Sequence, residues 1–416
     1  MAINQVCRLL ALAGIVAAIG IAPAPAHADG ARVGIWGAAV VKDLAVVDGT
    51  VETFTNQTIR NVVYASAGGT APRVRVSNRG GDSPLTVGYV DLAEQSLGGI
   101  AVSGSHHRLT FGGAGTVTIP AHGEVFSDPA DMTIVAGENL LISVYVPGTK
   151  VVPTYHPIAR MNTYVSNAGN FAADDSSTNY PGRRYSWYFL SGLDVISPTA
   201  GGTVVTFGDS ITDGVASTAL TNRRYPDYLA RRLWNETGGA PPVGIVNTGL
   251  AGNAMEHEST TGAHEADGPK GVDRFAHDAL GFPGVKAVIL FEGINDITYD
   301  TPAGGTPVTS WTLRADDQAL ITQAHNAGVK VYGATLTPFK GFGSYTAARE
   351  ATRQALNTWI RTGGAFDGVI DFDAAVRDPG DPSSLKPDYA HSDHLHLNDD
   401  GDKALADAID LAMIAS

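Results

Sequence analysis

The chain has 416 residues, 44% of them hydrophobic, and carries 42 acidic against 28 basic side chains for a formal charge of −14. That balance speaks against nucleic acid or an anionic membrane as a partner. The single cysteine, Cys7, excludes a disulfide scaffold and a cluster of thiolate metal ligands.

Residues 1–28 read as a secretory signal peptide. Arg8 supplies a basic start, Leu9 to Ile21 an apolar run too short to span a bilayer comfortably, and Ala26-His27-Ala28 an A-x-A cleavage site. Cleavage after Ala28 would remove Cys7 and leave an exported protein with no thiol. No other stretch approaches spanning length.

From Asp29 to Pro198 the pattern is that of an antiparallel β-sandwich domain. Arg73–Val76, Leu85–Tyr89 and Thr116–Ile119 alternate with period two, and Leu140–Val146 is a more continuous apolar strand. Turns such as Asn78-Arg79-Gly80-Gly81 separate them. Tyr185, Trp187 and Phe189 are spaced to share one strand face, and such a stripe is expected in a core or an interface rather than as a sugar platform. His106 and His107 lack a partner pattern and are expected at the surface.

Ser197 to Gly202 marks a shift of composition, and from Thr199 to Ser416 strands and helices alternate. Strands are predicted at 204–207, 243–246, 285–291, 329–336 and 369–372. Helices are predicted at 225–234, 272–280, 313–327, 345–361 and 399–414. Such alternation implies a parallel sheet covered on both faces, with right-handed crossovers placing all strand carboxyl ends on one rim.

Four blocks fall on that rim. Gly208-Asp209-Ser210 follows the first strand, where open α/β sheets build their sites. The second strand leads into Asn247–Asn253, the third into Gly293-Ile294-Asn295-Asp296, and Asp393–Asn398 precedes the last helix. A second Gly-Asp-Ser, at 81–83, is followed by Pro84 and reads as a surface turn, so the triplet alone is weak. In order and strand context, the four blocks together resemble the SGNH (GDSL) hydrolase family over essentially all of 202–416.

The resemblance implies a flavodoxin-like three-layer α/β domain and a serine esterase working through an acyl-enzyme. It makes Ser210 the nucleophile, His396 the base and Asp393 the acid orienting it. The Ser210 and Gly252 N–H groups and the Asn295 amide form the oxyanion hole. A serine hydroxyl needs a base within hydrogen-bond reach, and the tetrahedral intermediate needs donors aimed at its oxygen. Three-residue spacing lets Asp393 face His396, whereas its neighbour His394 points elsewhere; His391 and His394 are expected at the rim or uninvolved. Asp209 and Asp296 are expected to brace turns. Glu256, His257, Glu258, His264 and Glu265 crowd one loop without ligand spacing, so no metal is expected and no cofactor is needed. G-x-S-x-G is absent at Ser210, which points away from nucleophile-elbow enzymes.

The expected substrate is a small-molecule or polysaccharide ester, with acetyl-type esters of carbohydrates foremost. Lipid or short simple esters are the alternative. A reading of another class is a polymer-binding module carrying a vestigial hydrolase domain. A chain starting near Thr199 holds every candidate residue, so its chemistry is expected not to need 29–198.

Overall fold

The computed structural model describes residues 30–42, 51–256, 268–298 and 308–415. The signal-peptide reading of 1–28, with Cys7, lies outside them, as do His257, Glu258, His264 and Glu265. Among the described residues no helix is long and apolar enough to cross a membrane.

The N-terminal β-rich region forms two principal antiparallel sheets. One runs Ala31–Gly37, Leu190–Ser197, Gly69–Ser77, Glu124–Phe126. The other runs Gly182–Arg184, Thr163–Ala168, Gln57–Tyr64, Asn139–Val146, Tyr89–Leu97, Ile100–Ala101. Val33, Val74 and Leu193 of the first share a single apolar core with Ile59, Leu92 and Ile142 of the second, as in a sandwich. The alternation at Arg73–Val76 does not give a wet face, however. Arg75 is buried, donating to Ser191 Oγ at 2.9 Å and to Gly281 O at 3.0 Å, with its guanidinium 4.4 Å from the Phe282 ring centre.

Two expectations for this region fail. Tyr185, Trp187 and Phe189 do not share a face: Tyr185 is 63% exposed while Trp187 and Phe189 are buried. Phe189 has φ +62°, which breaks the alternation beyond the short strand Trp187–Tyr188. Trp187 packs edge-on against Trp36 at 5.0 Å, and the Arg224 guanidinium lies 4.9 Å from its ring. His106 is not a partnerless surface residue either, because its ring bridges Asp91 at 2.5 Å and Asp175 at 3.1 Å.

The second region is built on five parallel strands in the spatial order Gly244–Gly249, Thr203–Gly208, Val285–Phe291, Lys330–Ala334, Gly368–Ile370. In chain order that is 2-1-3-4-5, the flavodoxin-like arrangement, whose topological switch lies between the first and third strands. The helices are α1 (Ser210–Asp213), α2 (Tyr225–Glu236), α3 (Gly271–Asp278), α4 (Ile294–Thr298), α5 (Ser310–Asn326), α6 (Ala347–Thr362), α7 (Phe372–Val376), α8 (Asp399–Asp407) and α9 (Leu411–Ala415). Side-chain caps set several boundaries: Thr309 accepts from Thr312 N, and Thr346 from Arg349 N. The predicted strand 369–372 stops at Ile370 because Asp371 caps α7. The predicted helix 399–414 divides into α8 and α9, with Asp410 Oδ1 accepting from Ala412 N at the restart.

The two regions are closely joined. Gly34 N donates to Thr203 Oγ1 at 2.8 Å, and Ser66 Oγ donates to Ile245 O at 2.8 Å while accepting from Ile245 N at 2.9 Å. A Cβ on Gly244 would lie 2.1 Å from Gly34 O, so glycine there permits the approach. Arg224 donates to Ala159 O, Arg160 to Ser217 O, and Leu220 N to Arg160 O at 2.8 Å. A cut near Thr199 would strip partners from groups on the parallel sheet.

One junction predicts a pH-dependent stability. Glu124 accepts from His277 Nε2 at 2.6 Å, and His277 Nδ1 lies 2.6 Å from Asp278. Burial alone would raise the Glu124 carboxyl, yet His277 and Arg75 hold it down at about 2. Burial would lower His277, but the Asp278 and Glu124 carboxylates outweigh it and raise the ring. The contribution of Glu124 is therefore present above its unfolded pKa and lost as pH falls toward 2. That of His277 is present below its unfolded pKa and lost as pH rises through the raised folded value. The Tm deficit of Glu124→Gln should accordingly be larger at about pH 6 than at about pH 9. Equal deficits at both pH values would show that this pair does not supply the effect.

Candidate functional site

The first strand is fully buried, and the chain must turn at its end without a side chain in the way. A Cβ on Gly208 would lie 2.3 Å from Phe291 O on the third strand, so only glycine fits before the turn. Asp209 then caps α1, its Oδ1 accepting from Ile211 N at 2.9 Å, which makes Ser210 the first helical residue. Burial pushes the Asp209 carboxyl up to about 7 against the Ile211 N–H and the nearby His396 and Arg274. Asp209 is thus a turn-bracing group, as expected.

Ser210 Oγ lies 2.8 Å from His396 Nε2, and His396 Nδ1 lies 2.7 Å from Asp393 Oδ2. The other carboxylate oxygen, Asp393 Oδ1, accepts from Leu395 N and His396 N, both at 3.0 Å. Partial burial would raise Asp393, but these bonds from His396 and the backbone hold it well below the usual carboxylate range. With Nδ1 facing a carboxylate, the ring proton belongs there and Nε2 is left to accept from the serine hydroxyl.

The two neighbouring histidines divide. His391 Nδ1 lies 3.2 Å from Asp393 Oδ2, so it shares the carboxylate from the exposed side. His394 is exposed with φ +61°, and its ring lies over Gly341, where a Cβ would meet His394 Cγ at 2.7 Å.

The two remaining blocks sit on the same rim. Leu250 N donates to Gly208 O, and Asn253 N donates back to Leu250 O, both at 3.0 Å, closing a four-residue turn. Gly252 occupies its third position with φ +81°, the conformation that a type II turn reserves for glycine. Asn295, at the start of α4, donates one amide hydrogen to Asn253 O at 2.7 Å. Asp296 accepts from Met255 N at 2.8 Å and Glu256 N at 2.9 Å, bracing the chain as expected.

Beneath these blocks lies a residue that the sequence reading passed over. Arg274 of α3 is buried and donates to Gly208 O and Thr248 O at 2.8 Å, to Asn253 Oδ1 at 2.6 Å and to Glu292 at 3.1 Å. Its guanidinium also lies 3.9 Å from the Phe207 ring centre. One side chain therefore ties the ends of the first three strands together. Burial pushes the Glu292 carboxyl well up despite this contact. A lone arginine on the inner face of a helix was the available signal. Asp213, in the block that holds Ser210, was also passed over.

Ser83 of the second Gly-Asp-Ser lines an open cleft of about 380 Å³ with Lys42, Asp82 and Lys150, and no histidine is among its described lining residues. Among the described residues no group of three or more His, Cys, Asp or Glu could hold a metal ion.

Residues 206–404 match the model of the GDSL-like lipase/acylhydrolase family. The α/β region of this chain is similar to that family over those residues. The match starts in the first strand and ends within α8, so it spans all four blocks. Similar solved structures include a lipolytic protein of the G-D-S-L family from Desulfitobacterium hafniense, with 19% identity, TM-score 0.37, and cover of 51% of this chain and 99% of that one. A lipase/acylhydrolase from Enterococcus faecalis has 21% identity and TM-score 0.37, covering 51% of this chain and 95% of the other. An acetyl xylan esterase from Geobacillus stearothermophilus has 19% identity and TM-score 0.38, covering 50% and 93%. A comparison with curated proteins gives no match. The N-terminal β-rich region lies outside the family match.

Proposed function

We propose that the protein is a carboxylic ester hydrolase that works through an acyl-enzyme on Ser210. The observation that carries this reading is the unbroken line from Ser210 Oγ through the His396 ring to the Asp393 carboxylate, at 2.8 and 2.7 Å.

Ser210 Oγ attacks the ester carbonyl carbon as His396 Nε2 takes its proton. Asp393 holds the ring in place and stabilises the imidazolium that forms. The carbonyl oxygen becomes an oxyanion facing the Ser210 and Gly252 N–H groups and the second amide hydrogen of Asn295. The first hydrogen of that amide is spent on Asn253 O, which fixes the direction of the other. Collapse expels the alcohol, which takes the proton from His396. Water, deprotonated by the same nitrogen, then releases the acid.

The described rim beside Asp393 carries polar side chains. His391 and Ser392 are exposed beside half-buried Asp393. Such a rim suits a hydrated alcohol, and on that ground the substrate class we favour is an acetyl-type ester of a carbohydrate. We further propose that the enzyme is exported, on the strength of the leader-like sequence at 1–28.

The test is a panel of p-nitrophenyl esters of increasing chain length together with acetylated glycans, run with wild type and Ser210→Ala. Hydrolysis by wild type that Ser210→Ala lacks, with unchanged circular dichroism, is expected. Preference for long acyl chains over acetylated glycans would move the substrate to lipid esters. Equal rates in the two proteins would refute the mechanism.

A further inference from the structure

A histidine from outside the family match reaches the catalytic rim. His156 ends the short strand Thr154–His156 of the β-rich region and is buried at 2% exposure, as is Asp213 of α1 at 1%. His156 Nε2 lies 3.0 Å from Asp213 Oδ1 and 3.3 Å from Ile158 O, while Nδ1 lies 2.8 Å from Ala39 O. Every partner of the two ring nitrogens is an acceptor, so each nitrogen that carries a hydrogen has an oxygen to donate to. The other oxygen of Asp213 accepts from Ala251 N at 3.1 Å.

Ala251 is the second residue of the turn whose third residue is Gly252. In such turns the peptide between these two positions can flip, exchanging type I for type II and reversing the direction of the Gly252 N–H. Bonds within the turn and to Gly208 secure Leu250 and Asn253, but neither of them holds Ala251 N. Asp213 does that, and His156 fixes Asp213.

We propose that His156 is a positioning residue for the oxyanion hole, acting through Asp213 and the Ala251 N–H to keep the Gly252 N–H aimed at the reacting carbonyl oxygen. The inference rests on the reading of Gly252 as an oxyanion donor. It gives the β-rich region a part in catalysis: this region supplies the anchor for a loop of the α/β region.

The test uses the full chain and a pair of substitutions that divide the two ring nitrogens. The amide of His156→Asn stands near the position of Nδ1, so it keeps the Ala39 contact and cannot reach Asp213. The amide of His156→Gln stands near Nε2 and keeps Asp213. With p-nitrophenyl acetate, and with active sites titrated by a fluorophosphonate, His156→Asn should lose roughly thirtyfold in kcat per titrated site, part of the cost of a misaimed donor. KM should stay within about twofold, and the inhibition constant of benzeneboronic acid, which forms a tetrahedral anion on the serine, should rise in proportion. His156→Gln should stay within about threefold of wild type in kcat. Asp213→Ala should behave as His156→Asn and decides the matter if that variant does not fold. A purely structural role would lower Tm in both His156 variants and leave kcat per titrated site alone. Equal kcat in the Asn and Gln variants, a loss carried by KM, or full kcat in Asp213→Ala would overturn the proposal. Ser210→Ala on the same ester separates the two failures: residual wild-type hydrolysis there would defeat the reading of the site, whatever His156 does.

Discussion

His396→Ala should lose roughly four to six orders of magnitude in kcat, as removal of the base does in serine hydrolases, while His394→Ala should stay within about threefold of wild type. Both residues lie within three positions of Asp393, and sequence spacing favours His396 without showing which ring reaches the serine. Geometry does: His396 Nε2 is 2.8 Å from Ser210 Oγ, whereas His394 is exposed and lies over Gly341. His391→Ala should fall between them, because its ring touches the Asp393 oxygen that faces His396. Steady-state rates on one small ester, with folding checked by circular dichroism, rank the three. A larger loss from His394→Ala than from His396→Ala would mean that the base is wrongly assigned.

Arg274→Met should be the most damaging of these substitutions to stability. The side chain is almost fully buried, and its removal would deprive Gly208 O, Thr248 O, Asn253 Oδ1 and Glu292 of a donor at once. Breaking a buried pair of this kind costs about 3–5 kcal/mol. Glu292 is already pushed toward its neutral form by burial, so much of that cost comes from the unpaired oxygens. A fall in Tm on the order of 10 °C is expected. Arg274→Lys should rescue little, since one ammonium cannot reproduce the fork. Lys403→Met, which removes an exposed pair with Asp407 one turn away, should barely move Tm. Similar Tm values for the Arg274 and Lys403 variants would contradict the central place given to Arg274.

Much of this was legible in the sequence because it is local. The apolar run 204–207, the glycine before Asp209 and the alternation of strands and helices lead to a parallel sheet with Ser210 on its rim. Asp393 and His396 are three residues apart, so their contact needs only a turn. The links that hold the rim together are long-range and use ordinary residues. His156 and Asp213 stand 57 positions apart, and Arg274 is 66 positions from Gly208. Nothing in the local pattern marks the first, and only a lone arginine on the inner face of a helix marks the second. Tyr185 left the stripe for a different reason: it sits in a bend between the strands Gly182–Arg184 and Trp187–Tyr188 and is exposed, while Trp187 and Phe189 are buried as expected of a core or interface. The contacts of Ser66 and Gly34 with the parallel sheet were likewise not legible, because they join residues far apart in the chain.

The measurement that reaches the central claim most directly is covalent labelling with a fluorophosphonate, followed by peptide mapping. One adduct is expected, on the peptide containing Ser210, absent in Ser210→Ala and greatly slowed in His396→Ala. Ser83 should stay unlabelled. An adduct on another serine, or undiminished labelling and hydrolysis in Ser210→Ala, would contradict that claim.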